Sequence, residues 1–163
     1  GAPAYVEVQR RPALAVWSIG ATIEVSEIDN WFGVSLQTLR DAVSTADSAP
    51  LGIVPGGLYD RSLFLESRGE ATLFVPAPHS AQPLEGIRAE VLPAAEFAVL
   101  THSGGHDDID RSYGALGRYV NEHLLSHQGP IREHYIGATP SAPTTFTATE
   151  ICWPIFSTTP PPA

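Results

Sequence analysis

The sequence of 163 residues contains one cysteine, no methionine and no cluster of basic residues. Because Cys152 has no second cysteine to pair with, an intramolecular disulfide is excluded, as is a metal site built from several thiolates. This cysteine use fits a reducing cytoplasm. No apolar run approaches the length of a membrane-spanning helix, and the N-terminus lacks the basic and apolar segments of a signal peptide. We therefore expect a soluble, cytoplasmic protein that does not contact a membrane.

Basic residues are scarce: 9 Lys and Arg stand against 18 Asp and Glu, which gives a formal net charge of -9. Such a chain lacks the positive surface that neutralises phosphates, so we expect no direct nucleic-acid contact by this segment. An acidic chain attracts cations, although a net charge of this size is also a common means of solubility. Because position 1 is glycine, we expect a processed chain or a domain of a longer protein.

The first half of the sequence predicts the order β-α-β-β. Extended segments around Pro12 are followed by apolar residues at helical spacing, which predict a helix from Ile28 to Ala46. Beyond the turn at Pro55 to Gly57, the runs Tyr59 to Leu65 and Ala71 to Val75 predict two short strands.

The second half predicts the same order. A strand from Phe97 to Thr101 precedes a helix from Ile109 to Leu125, and the strands Ile131 to Ile136 and Thr147 to Ile155 follow it. The run Ile87 to Leu92 adds a lead-in strand to this half.

The apolar stripes of the two predicted helices coincide when the first is shifted by the 81 positions that separate Ile28 from Ile109. Two amphipathic helices align at some offset by chance, but the flanking strands and proline stops recur as well, which favours a duplication. Four positions match and Leu36, which falls on Gly117, does not; the matches are Ile28 with Ile109, Phe32 with Tyr113, Leu39 with Val120 and Val43 with Leu124.

The duplication predicts an α+β fold of two β-α-β-β modules, at about residues 4–77 and 86–156. We expect the modules to share one antiparallel sheet with both helices on one side of it. Residues 157–163 include three consecutive prolines and are expected to form a disordered tail.

Glu133 is an unusual residue for a core strand. Alternation within the run from Ile131 to Ile136 puts its carboxylate on the same face as Ile131 and Tyr135, which is the apolar face. Burial of an unpaired carboxylate costs several kcal/mol unless the group takes up a proton, and a cationic ligand would supply the missing partner. Pairing with Arg132, His134 or a distant arginine, or exposure of this face to solvent, would equally explain the residue.

Aromatic side chains near Glu133 would add cation-π contacts to a delocalised cation in a groove of low dielectric constant. Each aromatic candidate is also explained as an ordinary core residue, and Glu150, with Ala148 and Cys152 on its face, as a solvent-exposed residue at a sheet edge. The candidate ligand-binding residues are Glu133, Tyr135, Tyr113, Glu150, Tyr59, Trp31, Trp153 and Phe146.

No metal site or cofactor is predicted. The pairs His102 and His106, and His123 and His127, have the four-residue spacing of helical metal ligands. The first pair spans Gly104-Gly105 and is not helical, and the second is typical of a helix C-terminus. Cys152 is best explained as an inert core thiol, and no nucleophile motif of the Gly-x-Ser-x-Gly type is present.

Five segments carry a family resemblance: Leu92 to Val99, His102 to His106, Ser112-Tyr113, Arg132 to Tyr135 and Thr149 to Pro154. Their order and spacing resemble the GyrI-like effector-binding domain, which is also the ligand-sensing part of BmrR-type and Rob-type transcription regulators. The resemblance implies one domain over residues 1–156, in which two pseudo-symmetric modules enclose a ligand groove and Glu133 recognises cationic aromatic compounds. Where the family usually has Gly-Pro-Tyr before the second helix, this chain has Gly104-Gly105-His106.

The resemblance implies multidrug-type binding of amphipathic, cationic aromatic molecules. The protein would act either as the effector domain of a regulator with an attached DNA-binding domain, in drug resistance for example, or as a stand-alone sequestering protein. The alternative is a hydrolase that opens strained rings of toxic natural products, with Glu133 and Tyr135 as acid or base. A third class is a protein that masks a partner such as DNA gyrase, which would require an exposed complementary surface. The sequence leaves these alternatives open.

Overall fold

The computed structural model describes residues 5–45, 54–77, 82–139 and 141–156. The predicted tail at 157–163 and the last residue of the first predicted helix, Ala46, lie outside these ranges. Among the helices of the described ranges, none is long and apolar enough to cross a membrane.

The described residues form eight strands and three α-helices. Two short 3-10 turns, Val25–Glu27 and His106–Asp108, lead directly into the two long helices. In chain order the elements are β1 Glu7–Arg11, β2 Leu14–Glu24, α1 Ile28–Thr45, β3 Gly56–Tyr59, α2 Ser62–Glu66, β4 Arg68–Pro76, β5 Arg88–Leu92, β6 Ala95–Ser103, α3 Ile109–His123, β7 Ile131–Ile136 and β8 Ala148–Ile155.

All eight strands pair antiparallel in one sheet, in the order β1-β6-β8-β7-β3-β4-β2-β5. The two halves meet where β3 pairs with β7, and Gly57 lies opposite Glu133 at this join. Outward from the join, β7, β8, β6 and β1 correspond in order to β3, β4, β2 and β5. The predicted α+β class and the shared antiparallel sheet are thus confirmed.

Each half of the chain contributes its lead-in strand to the other half of the sheet. β1 is the first strand of the first module yet pairs with β6 of the second, with Glu7 opposite Val99. β5, expected to lead into the second module, pairs instead with β2 of the first, with Leu14 opposite Leu92. Without this exchange β2 and β6 would be the exposed edges of the sheet, so the two halves depend on each other for a complete fold.

The two long helices pack on the same face of the sheet. α1 packs against β2 and β4, in a core cluster that includes Tyr135 of β7. α3 packs against β6 and β8, in a cluster that includes Ile131 of β7. Because Ile131, Glu133 and Tyr135 alternate onto one side of β7, the Glu133 side chain lies between the regions covered by the two helices.

The predicted strand from Tyr59 to Leu65 is wrong over most of its length. β3 ends at Tyr59, and Ser62–Glu66 forms the short helix α2. The Ser62 hydroxyl donates a hydrogen bond of 2.9 Å to the Asp60 carboxylate at the start of this helix, and Leu63 anchors α2 in the core. An apolar run this short fits a strand and a helix equally well, so its pattern does not decide between them. α3 also ends at His123, before the predicted Leu125, because Leu124 is extended.

Gly117 explains the break in the repeat between the two helices. A side-chain carbon at position 117 would lie 3.2 Å from the Trp153 ring, whereas Leu36, at the matching position of α1, is fully buried in the core. The indole of Trp153 therefore fills, in the second half, the space that a leucine fills in the first.

Gly117→Leu is expected to lower the free energy of unfolding by about 1–3 kcal/mol, because overpacking would force Trp153 or α3 to move. Gly33→Leu is the matched control, because Gly33 is also helical but has open space around it. A side-chain carbon at Gly33 would have no atom within 4 Å apart from its two chain neighbours and the nearby backbone of its own helix. The control is expected to gain up to about 1 kcal/mol of helix propensity. Chemical denaturation measures both variants, and equal stabilities would contradict the proposed role of Gly117.

Candidate functional site

A cavity of about 460 Å³ lies between the starts of α1 and α3, over the join of the two half-sheets. Its base is formed by β7 and β3, and its walls by both long helices, α2, the turn before α3 and the loop before β8. A volume of this size suits a small organic ligand. The lining residues are Ile28, Asp29, Phe32, Tyr59, Phe64, Gly104, Gly105, His106, Ile109, Asp110, Tyr113, Glu133, Tyr135, Thr144, Thr145 and Phe146.

The Glu133 carboxylate lies at the base of this cavity, and only 8% of the residue is exposed. The Tyr113 hydroxyl donates a hydrogen bond to Oε2 of Glu133. Burial raises the pKa of Glu133, and this rise is opposed by hydrogen bonding from Tyr113 and Tyr135 and by the nearby His106 and His102. In the described part of the chain no lysine or arginine forms an ion pair with Glu133. Its charge therefore lacks a lysine or arginine partner there.

Tyrosine hydroxyls form the rest of the polar base. Tyr59 and Tyr135 share a hydrogen bond between their hydroxyls, and both residues are buried. Burial, followed by the charge of Glu133, raises the pKa of Tyr59, Tyr113 and Tyr135. These phenols consequently stay protonated, and three neutral hydroxyls lie near one carboxylate.

Aromatic rings form the walls next to Glu133. The Phe32 ring meets Tyr135 edge-on with ring centres 5.0 Å apart, and Phe146 lies 5.3 Å from Tyr135. On α2, Phe64 lies 5.1 Å from Tyr113. A planar cation near Glu133 would contact several of these rings, and such contacts favour a delocalised positive charge.

The turn Gly104–His106 forms part of the rim. Gly104 has a φ of 90°, a conformation that side-chain-bearing residues rarely adopt. The buried His102 donates a hydrogen bond from Nε2 to the Gly105 carbonyl oxygen (2.8 Å), while Nδ1 lies 2.7 Å from the Ser112 hydroxyl. His102 thus holds the turn against the start of α3 and places His106 at the cavity.

Over residues 6–155 the sequence matches the GyrI-like small molecule binding domain. The chain belongs to the GyrI-like family. No curated protein matches the chain.

Solved structures of other proteins share the fold of this GyrI-like chain. The C-terminal domain of EcmrR has a TM-score of 0.75 at 16% identity, with 94% of this chain and 98% of that chain covered. EcmrR in a complex with DNA has a TM-score of 0.72 at 17% identity, with 94% and 57% covered. SAV2435 bound to tetraphenylphosphonium has a TM-score of 0.62 at 14% identity, with 93% and 94% covered. A protein described as a hydrolase from Listeria innocua has a TM-score of 0.64 at 11% identity, with 95% and 94% covered.

Five of the eight predicted ligand-binding residues line the cavity of this GyrI-like domain. Their contact with a ligand stays a prediction. The five residues are Glu133, Tyr135, Tyr113, Tyr59 and Phe146.

In the described ranges no group of three or more His, Cys, Asp or Glu side chains is arranged to hold a metal ion.

The other three predicted residues lie elsewhere. Glu150 is on the face of the sheet opposite to Glu133 and forms an ion pair of 3.2 Å with Arg11. Trp31 packs against the core cluster of α1 without lining the cavity. Trp153 lines a separate, apolar cavity.

The sequence does not predict Phe32, Phe64 and His106 as cavity residues, although all three line it. Phe64 falls in the segment predicted as a strand, and His106 stands where the family usually has tyrosine. For Phe32 a signal was present, because the repeat relates it to Tyr113, a predicted site residue. Two further pairs of cavity residues, Ile28 with Ile109 and Asp29 with Asp110, have the same spacing.

Removal of the Glu133 charge is expected to stabilise the unliganded protein. The pKa of Glu133 is raised in the folded state, so ionisation of this carboxylate destabilises the fold. This destabilisation is absent at a pH below the pKa that Glu133 has in the unfolded chain, and it grows as pH rises through the folded pKa. Glu133→Gln should therefore raise the free energy of unfolding by about 1–3 kcal/mol at pH 7. This gain should disappear well below about pH 4, where both states carry the proton. Denaturation over a pH series measures the difference, and a less stable variant at pH 7 would show that the carboxylate is favourably paired.

Proposed function

We propose that this GyrI-like protein binds amphipathic, cationic aromatic molecules in the cavity between its two long helices, with Glu133 as the counter-charge. The observation that carries the proposal is a buried carboxylate that forms no ion pair with a lysine or arginine of the described chain, at the base of an aromatic cavity. Because this carboxylate is already out of water, much of its desolvation cost falls on folding rather than on binding. A cationic ligand would then gain an ion pair in a region of low dielectric constant.

Two further carboxylates favour cations. Asp29 and Asp110, in the first turns of α1 and α3, line the cavity at positions related by the repeat, and both are exposed. No lysine or arginine of the described residues lines this cavity. The approach to Glu133 therefore carries a negative potential, which would attract cations and repel anions.

We further propose that binding serves either transcription regulation or sequestration of toxic compounds in the cytoplasm. The similarity to the C-terminal domain of EcmrR, which also has a DNA-bound structure, supports an effector domain with the DNA contacts made by an attached domain. The net charge of -9 is consistent with this division, because an excess of acidic residues disfavours contact with phosphates. SAV2435 bound to tetraphenylphosphonium supports a cationic aromatic ligand, as in multidrug recognition.

The charge requirement can be tested with N-methylquinolinium and its neutral isostere 1-methylnaphthalene. Glu133→Gln is expected to weaken binding of the cation by roughly 2–5 kcal/mol and to affect the neutral ligand much less, because only the cation loses a charge partner. Glu150→Gln is the matched control, since its carboxylate lies on the opposite face of the sheet. Calorimetric titration measures the affinities. Equal losses for both ligands in Glu133→Gln, or the same selective loss in Glu150→Gln, would contradict the proposal.

A hydrolase is the second candidate function. It is favoured by the raised pKa of Glu133 and by the hydrogen bond from Tyr113, because a carboxyl group titrating closer to neutral pH can donate and accept protons. Glu133 would act as acid or base, with Tyr135 beside it, on an electrophilic strained ring held in the cavity. The fold is shared with a protein described as a hydrolase, but a shared fold does not decide activity.

Recovery of the ligand after long incubation separates the two functions. For a binding protein, saturating ligand should raise the melting temperature by mass action and be recovered unchanged by mass spectrometry, which is the result we expect. A strained electrophile such as an epoxide, consumed over many turnovers by the wild-type protein, would instead establish hydrolysis. In that case Glu133→Gln and Tyr135→Phe should lower the rate while remaining folded.

A further inference from the structure

A second cavity, of about 430 Å³, lies on the other side of the Phe64 and Tyr113 rings. Both rings line both cavities, and their centres are 5.1 Å apart, so they form the partition between the two spaces. The residues that line the second cavity alone are Arg61, Leu65, Gly114, Ile131 and Trp153.

The second cavity lacks an acidic residue among its described lining. Its one charged residue, Arg61, places its guanidinium over the Trp153 ring at 4.9 Å and donates a hydrogen bond of 2.7 Å to the His127 carbonyl oxygen. A second cation in this space would meet a like charge without a compensating carboxylate. The cavity therefore fits a neutral, apolar group.

The walls of the second cavity leave apolar surface uncovered. Leu65 is 82% exposed and Phe64 is 53% exposed, although both are large apolar side chains on a five-residue helix. On α3, a side-chain carbon at Gly114 would have no atom within 4 Å apart from its two chain neighbours and the nearby backbone of the helix. The space above Gly114 is therefore open. An apolar group placed here would cover surface that the described chain leaves to water.

We propose that the second cavity binds the apolar arm of the same ligand whose cationic ring lies near Glu133. This inference rests on the proposed function and narrows the ligand class to monocations that carry an aromatic or alkyl arm. Tyr113 is fixed by its hydrogen bond to Glu133, whereas the half-exposed Phe64 has room to turn. In this proposal the apolar arm runs from the first cavity to the second past the Phe64 ring.

Three probes with the same quinolinium head test the proposal by calorimetric titration. N-methylquinolinium carries no arm, N-(4-phenylbutyl)quinolinium carries an apolar arm, and a quinolinium with a 4-(trimethylammonio)butyl arm is a dication. The phenylbutyl probe is expected to bind the wild-type protein on the order of tenfold more tightly than the methyl probe, as burial of a phenyl group predicts. The dication should bind no more tightly than the methyl probe, because of Arg61.

Gly114→Leu is expected to fill the second cavity and bring the affinity ratio of the phenylbutyl and methyl probes close to one. Gly33→Leu is the matched control and should keep the wild-type ratio, because it makes the same change in a helix at a position outside both cavities. Leu65→Glu provides a second variant at an exposed position and should reduce the ratio severalfold. Thermal denaturation establishes that each variant is folded.

The outcomes separate this inference from the function on which it rests. A ratio that Gly114→Leu and Leu65→Glu leave unchanged, or a dication that binds as tightly as the phenylbutyl probe, would overturn the second cavity as an arm site. If Glu133→Gln weakens neither probe, the proposed function itself fails. If none of the three probes binds the wild-type protein, both are refuted.

Discussion

The pairing of β3 with β7 is the contact on which the rest of the structure depends, because it joins the half-sheets and sets the position of Glu133. It requires two glycines. A side-chain carbon at Gly56 would lie 2.7 Å from the Glu133 carbonyl oxygen and 2.3 Å from the Phe74 ring. One at Gly57 would lie 2.6 Å from the Tyr59 ring, so Tyr59 can lie over the strand beside the carboxylate only because residue 57 has no side chain. The two glycines thus permit both the pairing of β3 with β7 and the position of Tyr59 at the base of the cavity.

Around this join the duplication supplies symmetric walls and the sequence breaks the symmetry at the base. Tyr59 and Tyr135 each lie two residues beyond the pair formed by Gly57 and Glu133, and their hydroxyls bond to each other. The acid itself has no counterpart, since its cross-strand partner is glycine. A second buried acid at that position would repel the first and hold one of the two protonated. A single carboxylate, by contrast, can stay available for one cation, which is consistent with a ligand of single positive charge.

The parts of the structure that followed from the sequence are those set by local patterns. The apolar stripe from Ile28 to Val43 predicts α1 because helical spacing depends only on residues within that segment. Strand alternation is equally local, and it places Glu133 on the same face as Tyr135. The face of Glu150 instead depends on the register of β8 against β7, and the exchange of β1 and β5 depends on pairing between distant segments. Phe64 was not predicted as a cavity residue because its short apolar run fits a strand and a helix equally well. Packing against the rest of the chain decides between the two.

The raised pKa of Glu133 links the two candidate functions through the state of one proton. A cation needs the carboxylate ionised, so its binding would lower the pKa of Glu133 and release any proton the empty site holds. Proton donation to a strained ring needs the carboxyl protonated, and a neutral substrate that excludes water would raise the pKa further. Hydrogen bonding from Tyr113 and Tyr135 opposes the effect of burial and favours the ionised state of Glu133. The surroundings of Glu133, with acids at Asp29 and Asp110 and no lysine or arginine among the described lining, therefore suit the capture of a cation better than the donation of a proton.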